Sequence, residues 1–202
     1  MENHIPMCLE VLHVGRVYIL TPGGQYNHLI FRRVLELGYE ASMRHLEIDS
    51  ESLRNAGAVI IGGGPGRLSL DNKVSESLKD VLINAQIPVL GICYGHQLLA
   101  HLFGGVVAPS AKPEFGPATI RVIERDELFE DVPNTFTAWL SHNDEVVELP
   151  KNFEVLADSQ ECAFQAVKNV NSMIYGVQFH VEVEHTQHGK QVLGNFLRLA
   201  KR

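Results

Sequence analysis

The stretch Ile87-Pro88-Val89-Leu90-Gly91-Ile92-Cys93-Tyr94-Gly95-His96-Gln97 gives the clearest indication of the fold. Its first half is a short apolar run typical of a buried strand, and residues 97–103 continue as an apolar-rich helix. Cys93 therefore falls where a strand turns into a helix. Gly91 and Gly95 flank it and permit a sharp turn, while the helix start directs backbone N–H groups toward the sulfur. This setting favours the thiolate, the reactive form of cysteine.

Strands and helices alternate along the first hundred residues. Beyond Gly104 and Gly105 the sequence changes to short β-rich segments that favour antiparallel pairing. The pattern predicts an α/β fold, a single domain with a mixed, mainly parallel sheet and helices on both faces. Predicted strands cover residues 17–20, 41–46, 58–61, 87–92, 118–123, 135–140, 153–157, 163–168 and 173–178, and predicted helices cover 26–37, 74–84, 97–103 and 185–200.

Composition limits the possible classes of protein. The chain has 202 residues, 45% of them hydrophobic, which suits one domain at 16–202 preceded by an N-terminal extension at 1–15. Its 17 Lys and Arg stand against 24 Asp and Glu without a basic run, which argues against nucleic acid as a partner. No apolar stretch approaches the roughly 20 residues of a membrane-spanning helix, so we expect no membrane association.

The start of the sequence and its cysteines indicate a cytoplasmic protein. Residues 1–15 lack the basic start and the long apolar stretch of a secretion signal. The three cysteines, Cys8, Cys93 and Cys162, are odd in number and widely spaced, which fits neither a disulfide framework nor a zinc site. We therefore predict reduced cysteines and no bound metal.

A cysteine nucleophile needs a base, and the best candidate lies in Gly176-Val177-Gln178-Phe179-His180-Val181-Glu182. Residues two apart on an extended segment point to the same side, so Glu182 can accept a hydrogen bond from one imidazole nitrogen of His180. The other nitrogen is then left to face Cys93. The sequence thus predicts a catalytic triad of Cys93, His180 and Glu182.

Attack on an amide also creates an oxyanion that fixed hydrogen-bond donors must hold. The backbone N–H of Tyr94 follows the nucleophile directly at the helix start. The glycine loop, residues 62–66 with the sequence Gly-Gly-Gly-Pro-Gly, can bring a second N–H close, and Gly64 is the best candidate. Strand order in such sheets places both turns at the same edge, so we predict an oxyanion hole from Gly64 and Tyr94.

Each of these features also has a structural explanation without chemistry. A lone cysteine is most often a small buried apolar residue, and a lone histidine is often a satisfied core residue. The glycine loop resembles phosphate-binding turns, but it lacks the Gly-Lys-Ser/Thr ending of a P-loop. His185 and His188 lie one helical turn apart in the predicted last helix, where a solvated helix face explains them better than a metal site.

Taken together, the glycine loop, the segment around Cys93 and the segment Gln178-Phe179-His180-x-Glu182 resemble the class I (triad) glutamine amidotransferases from Val17 onward. The resemblance implies a flavodoxin-like sheet and the release of ammonia from glutamine. It also implies that Gln97 contacts the amino-acid end of glutamine. The backbone near Ser141, Asn143 and Asp144 is implied to help bind the same substrate.

Within the family, the sequence is most similar to the glutaminase part of GMP synthetases. The similarity rests on Gly23-Gly24-Gln25-Tyr26, on Tyr94, on residues 141–146 and on residues 182–186. It implies a stand-alone glutaminase subunit with no cofactor of its own and no fused ATP-pyrophosphatase domain. The implied partner is a separate XMP-binding ATP-pyrophosphatase subunit, which uses ATP and Mg²⁺. Low activity without that partner is also expected.

Three other functions stay open at this point: an amidotransferase subunit of a different synthetase, a γ-glutamyl hydrolase, and a non-catalytic regulatory subunit. Residues 141–146, predicted as a loop, and residues 182–185 are candidate partner contacts, with Asp144 the residue to test by charge reversal. One position departs from the family, since Val181 stands where proline is usual between the histidine and the glutamate. Valine favours extended backbone, so we expect the strand geometry to be kept.

Overall fold

The computed structural model describes residues 15–70 and 76–200. The predicted N-terminal extension, residues 1–15, lies outside these ranges except for Gly15, and so do residues 74 and 75 of a predicted helix. The described chain forms nine strands and four α-helices. They are β1 (Arg16–Thr21), α1 (Asn27–Glu36), β2 (Ala41–His45), β3 (Ala56–Ile61), α2 (Glu76–Ala85), β4 (Val89–Ile92), α3 (Tyr94–Leu102), β5 (Val106–Val122), β6 (Thr135–Glu148), β7 (Phe153–Asp158), β8 (Ala166–Asn169), β9 (Ile174–Val177) and α4 (Gly189–Leu199).

The nine strands form one mixed sheet in the order β2-β1-β3-β4-β9-β8-β7-β5-β6. Strands β2, β1, β3, β4 and β9 are parallel, and the pairings from β9 through β6 are antiparallel. This confirms the predicted α/β class with a mixed sheet. Because β3, β4 and β9 are neighbours and parallel, the segments that follow them meet at one edge of the sheet.

Helices cover both faces of the sheet, as predicted. Successive strand residues alternate between two apolar clusters because side chains along a strand point to opposite faces. On one face, Ile19, Ile60 and Ile92 share a cluster with residues of α1 and α4, among them Val34 and Phe196. The other face packs against α2 and α3 through Leu20, Val59, Ile61, Leu82 and Leu98.

The antiparallel part of the sheet is longer than predicted. β5 begins at Val106, twelve residues before the predicted strand at 118. Its register shifts between Pro109 and Glu114, and prolines there obscure the strand pattern. β6 continues through residues 141–148, so the segment predicted as a loop is in fact part of a strand.

The last helix begins later than predicted. α4 starts at Gly189, and His188 before it has a left-handed backbone with φ 58°. His185 and His188 therefore precede the helix rather than sharing one of its faces. None of the helices within the described ranges has the length and apolar character needed to cross a membrane.

Candidate functional site

A cavity of about 370 Å³ lies at the edge of the sheet where β3, β4 and β9 end. Segments that are far apart in sequence contribute its walls. The predicted site residues Cys93, Tyr94, Gly64, Gln97 and His180 all line it, together with Gly23, Gly24, Gln25, Tyr26, Gly63, Pro65, Gly66, Arg67, Phe115, Ser141, His142, Asn143 and Asp144.

Cys93 occupies the single position between the end of β4 and the start of α3. Its backbone has φ 53° and ψ −106°, a conformation that L-residues rarely adopt. The backbone N–H of Cys93 donates to the carbonyl of Val177 at 2.8 Å, which fixes the turn to the end of β9. Its Sγ lies 3.6 Å from the carbonyl oxygen of Ser141. The thiol is therefore held on the cavity wall at a strained turn.

Both glycines around Cys93 are required by packing. A Cβ at Gly95 would lie 2.1 Å from the carbonyl oxygen of Ile61, so α3 approaches β3 as closely as backbone allows. A Cβ at Gly91 would lie 2.4 Å from the carbonyl oxygen of Gly95. The two glycines therefore permit the close strand-to-helix contact that the turn at Cys93 needs.

His180 pairs with Glu182 directly. The Nδ1–H of His180 donates to Oε1 of Glu182 at 2.7 Å, and both side chains are buried. The imidazole also interacts electrostatically with the side chain of Cys93, and both side chains border the backbone of Gly63. The three predicted residues therefore lie close together, and a hydrogen bond joins His180 to Glu182. Oε2 of Glu182 is buried and finds no hydrogen-bond partner within residues 15–70 and 76–200.

The local backbone differs from the expectation. β9 ends at Val177, and residues 178–182 follow as bends and a turn rather than as an extended strand. Val181 lies in that turn and is buried, so the expectation that it preserves strand geometry was wrong. The contact between His180 and Glu182 therefore arises because the chain turns, not because residues two apart alternate along a strand.

The environment of His180 favours the protonated ring. Burial alone would lower the pKa of His180, but its interactions with Cys93 and Glu182 raise the pKa to about 10. An imidazolium beside a thiol stabilises the thiolate and has a proton to give to a leaving group. The site can thus perform nucleophilic acyl chemistry.

Three residues that sequence analysis missed hold His180 in place. Thr186 donates from Oγ1 to the carbonyl of His180 at 2.6 Å. The backbone N–H of His180 donates to the carbonyl of Trp139 on β6 at 3.0 Å. The ring of Tyr26 packs edge-on against the imidazole with centroids 5.1 Å apart. The contacts of Trp139 and Tyr26 with His180 join residues distant in sequence, which leave no local sequence pattern.

The glycine loop passes close to the triad residues. A Cβ at Gly63 would lie 3.3 Å from Cε1 of His180 and 3.8 Å from Cβ of Cys93, so this backbone borders both side chains. Nδ2 of the buried Asn27 donates to the carbonyl of Gly63 at 3.2 Å and so helps to fix the loop in position. Gly63 and Asn27 were not predicted. The role of Gly64 and Tyr94 as oxyanion donors stays a prediction.

Gln97 and residues 141–144 of β6 form another part of the cavity wall. Nε2 of Gln97 donates to the carbonyl of Asp144 at 2.6 Å and to Oε1 of Gln178 at 3.0 Å, so its amide nitrogen is engaged within the protein. Ser141 and Asn143 lie on the cavity wall, as the predicted glutamine contacts require. Their binding role is a prediction that the geometry permits.

Asp144 is not placed as expected of a partner contact. Its side chain is only 3% exposed, and its carboxylate is bound by Arg67 and by the backbone N–H of Ser69. Burial would raise the pKa of Asp144, but the hydrogen bonds from Ser69 and Arg67 lower it below the ordinary range. Charge reversal at Asp144 would disrupt internal bonds first, so it is unsuited as a test of partner binding.

At two buried titratable residues outside the triad, burial is the largest cause of the pKa shift. Burial, with the nearby His142 acting in the same direction, lowers the pKa of His96 to about 3. Burial raises the pKa of the Cys162 thiol to about 12. In the part of the chain that the structure describes, no three His, Cys, Asp or Glu side chains are grouped so as to hold a metal ion.

Comparisons with known proteins identify the family of the chain. The family model of class I glutamine amidotransferases matches residues 19–200. The chain is 42% identical to the A subunit of the glutamine-hydrolyzing GMP synthase of Ignicoccus hospitalis, covering 93% of this chain and 99% of that protein. It is 45% identical to the glutamine-hydrolyzing GMP synthase of Thermosipho melanesiensis over 92% of this chain, but it spans only 36% of that longer protein.

A solved structure is also similar over the whole fold. The crystal structure of a Thermoplasma acidophilum protein, assigned as the A subunit of a GMP synthase, superposes with a TM-score of 0.88 and 33% sequence identity. The match covers 94% of this chain and 95% of the other. The described fold is therefore the one that this relative adopts.

Proposed function

Because the chain belongs to the class I glutamine amidotransferase family, we propose that it is the glutaminase subunit of a GMP synthetase, hydrolysing glutamine to glutamate and ammonia. The observation that carries the proposal is that His180 donates to Glu182 and lines the same cavity as Cys93, with which it interacts electrostatically. Relatives named as the A subunit of GMP synthase, alignable over nearly their full length, support the choice of synthetase.

In the first half of the proposed reaction, the Cys93 thiolate attacks the side-chain carboxamide carbon of glutamine. The carbonyl oxygen becomes an oxyanion, for which the backbone N–H groups of Gly64 and Tyr94 are the proposed donors. His180 gives its proton to the leaving nitrogen, the C–N bond breaks, and ammonia leaves behind a glutamyl thioester on Cys93.

In the second half, neutral His180 takes a proton from water, and the resulting hydroxide attacks the thioester. The C–S bond breaks, glutamate leaves, and the thiolate and the imidazolium are restored. Glu182 accepts the hydrogen bond from Nδ1 of His180, so that the other ring nitrogen is the one that exchanges protons. The sum is glutamine plus water giving glutamate plus ammonia.

The proposed acceptor of the ammonia is a separate ATP-pyrophosphatase subunit that binds XMP and converts it to GMP. ATP and Mg²⁺ are assigned to that subunit, and the proposed glutaminase step uses only groups of this chain. Hydrolysis without an acceptor wastes glutamine, so we expect the chain alone to have low activity and the partner to raise it.

Glutamate release from glutamine tests the proposal. It is measured for the chain alone and with the XMP-dependent subunit from the same cell, XMP, ATP and Mg²⁺. We expect release to rise with the partner and Cys93→Ala to abolish it, because no other group can form the thioester. Cys162→Ala is the matched control, since Cys162 is the other described cysteine and does not line the cavity.

Each alternative function has its own outcome in this experiment. Cys93-dependent release that ignores the partner would keep the chemistry but reject the GMP synthetase assignment. Hydrolysis of γ-glutamyl peptides but not of glutamine would indicate a γ-glutamyl hydrolase. Full stimulation of the partner by Cys93→Ala, with no glutamine use by either form, would indicate a regulatory role.

A further inference from the structure

Asp144 connects three parts of the site that come from different regions of the sequence. Its Oδ1 accepts hydrogen bonds from Nε and Nη2 of Arg67 at 2.9 and 2.6 Å. Its Oδ2 accepts the backbone N–H of Ser69 at 3.1 Å. Its backbone carbonyl accepts Nε2 of Gln97 at 2.6 Å. One residue of β6 therefore holds the chain that follows the glycine loop and, separately, helix α3, which begins at Tyr94.

The carboxylate is fully committed to these contacts. The Asp144 side chain is 3% exposed, whereas the Arg67 side chain is 38% exposed and lines the cavity. Separating a buried carboxylate from the guanidinium and the backbone N–H that bind it costs free energy, because each group would lose its partner inside the protein. This arrangement holds residues 67–69 against β6 on one side of the cavity.

We propose that Asp144, Arg67 and Ser69 form a clamp that keeps the glycine loop in its substrate-binding position against β6. The clamp rests on the proposed glutaminase function, but it assigns Asp144 and Arg67 as positioning residues rather than as ligands of glutamine. Without the clamp, residues 67–69 separate from β6 for part of the time. Only the fraction of molecules with the loop in place then binds glutamine.

The kinetic test uses Arg67→Met and Asp144→Asn. Both remove the ion pair, while Asp144→Asn keeps an oxygen for the Ser69 N–H. We expect either substitution to raise KM for glutamine by on the order of tenfold with kcat changed less than about threefold, because bound substrate returns the loop to its place. The double variant should lose no more than the single variants, since all of them remove the same interaction.

Arg121→Met is the matched control for these variants. Arg121 makes a comparable two-bond contact with Asp158, but on β5 and β7 and outside the cavity. We expect this variant to keep the wild-type KM and kcat. A purely structural role for the Asp144 clamp would lower the active fraction, which reduces kcat and leaves KM unchanged.

Hydrogen exchange supplies a readout that does not depend on activity. The Ser69 amide is bonded to Asp144, so Arg67→Met should speed its exchange, whereas Arg121→Met should not. Unchanged Ser69 exchange together with unchanged KM would overturn the proposal. A raised KM in Arg67→Met but not in Asp144→Asn would also overturn it, by indicating that Arg67 binds glutamine directly. If the wild type hydrolyses no glutamine even with the partner, the proposed function fails while Ser69 exchange still decides on the clamp.

Discussion

His180 is hydrogen-bonded to Glu182 and interacts electrostatically with Cys93, and these contacts determine how the site responds to pH. The pKa of the ring is about 10 in the folded chain, against roughly 6.5 for an unperturbed histidine. Between these two values His180 carries a proton in the folded chain that it lacks in the unfolded chain. The associated stability is fully present below about pH 6.5 and is lost as the pH rises through about 10.

Glu182→Gln tests this dependence. Glutamine still offers an oxygen to Nδ1 but carries no charge, so the pKa of His180 should fall. The free energy of unfolding should then decline less between pH 6.5 and 10 than in the wild type, as measured by urea unfolding across that range. Glu40→Gln, which removes an exposed partner of Arg16, should keep the wild-type slope. Equal slopes for Glu182→Gln and the wild type would contradict the assigned cause of the pKa shift.

Single residues were predictable where the signal is local. Cys93, His180 and Glu182 each stand in a short segment whose residue types and spacing indicate the chemistry. The structure brings all three together, while their catalytic roles stay part of the proposal. The side chain of Asp144 was misjudged because its partner Arg67 lies 77 positions away, and no short pattern reports such a pairing.

At the scale of elements, the site depends on how closely α3 approaches β3. Gly95→Ala should destabilise the fold by about 1–3 kcal/mol, although alanine is the better helix former, because its Cβ would meet the backbone of Ile61. Gly194→Ala is the matched control in α4, where a Cβ would meet only Leu37 Cδ2 at an ordinary 3.5 Å.

The two substitutions should therefore differ clearly in their effect on the free energy of unfolding. Gly194→Ala should be neutral or stabilising by roughly 0.5–1 kcal/mol, since alanine exceeds glycine in helix propensity. Urea unfolding of both variants measures the difference directly. Two equal and small effects would show that α3 can shift away from β3 at little cost, contrary to the tight contact described.

Elements with a regular pattern of apolar residues were predictable from the sequence. Elements whose pattern is interrupted by polar or turn-forming residues were not. The buried parallel strands read as continuous apolar runs, and the structure confirms them. In β6 the alternation of burial continues beyond Leu140, but His142 and Asp144 occupy the inward positions. Polar residues at inward positions make a strand difficult to predict from sequence, because their burial depends on partners elsewhere in the chain.

The cavity draws on the whole molecule, since its walls come from α3, β5 and β6 and from the segments that follow β1, β3, β4 and β9. Cysteine alkylation distinguishes local access from global opening. In a Cys8→Ser background, iodoacetamide at pH 8 should modify Cys93 on the cavity wall in native buffer. Cys162, 1% exposed and with a thiol pKa of about 12, should react only as the chain unfolds with urea.

Peptide mass spectrometry reads both sites in one experiment. Glutamine should slow the modification of Cys93 and leave that of Cys162 unchanged. Reaction of Cys162 in native buffer at the rate of Cys93 would show that the β-rich part opens independently of the rest.

The order of elements was sufficient to predict the α/β class and the helices on both faces, because each strand and helix carries its own apolar pattern. The position of β9 beside β4 was not predictable from local patterns. About eighty residues separate the two strands, and only their pairing brings the segment of His180 next to Cys93.

The backbone at Cys93 has a further consequence for selection on this protein. At φ 53° and ψ −106°, glycine would adopt the backbone conformation of position 93 at the lowest energetic cost. Laboratory selection for heat resistance alone would therefore favour replacement of Cys93, and the most thermostable variants would be inactive. A thermostabilised version that still turns over substrate has to be sought with both traits under selection at once.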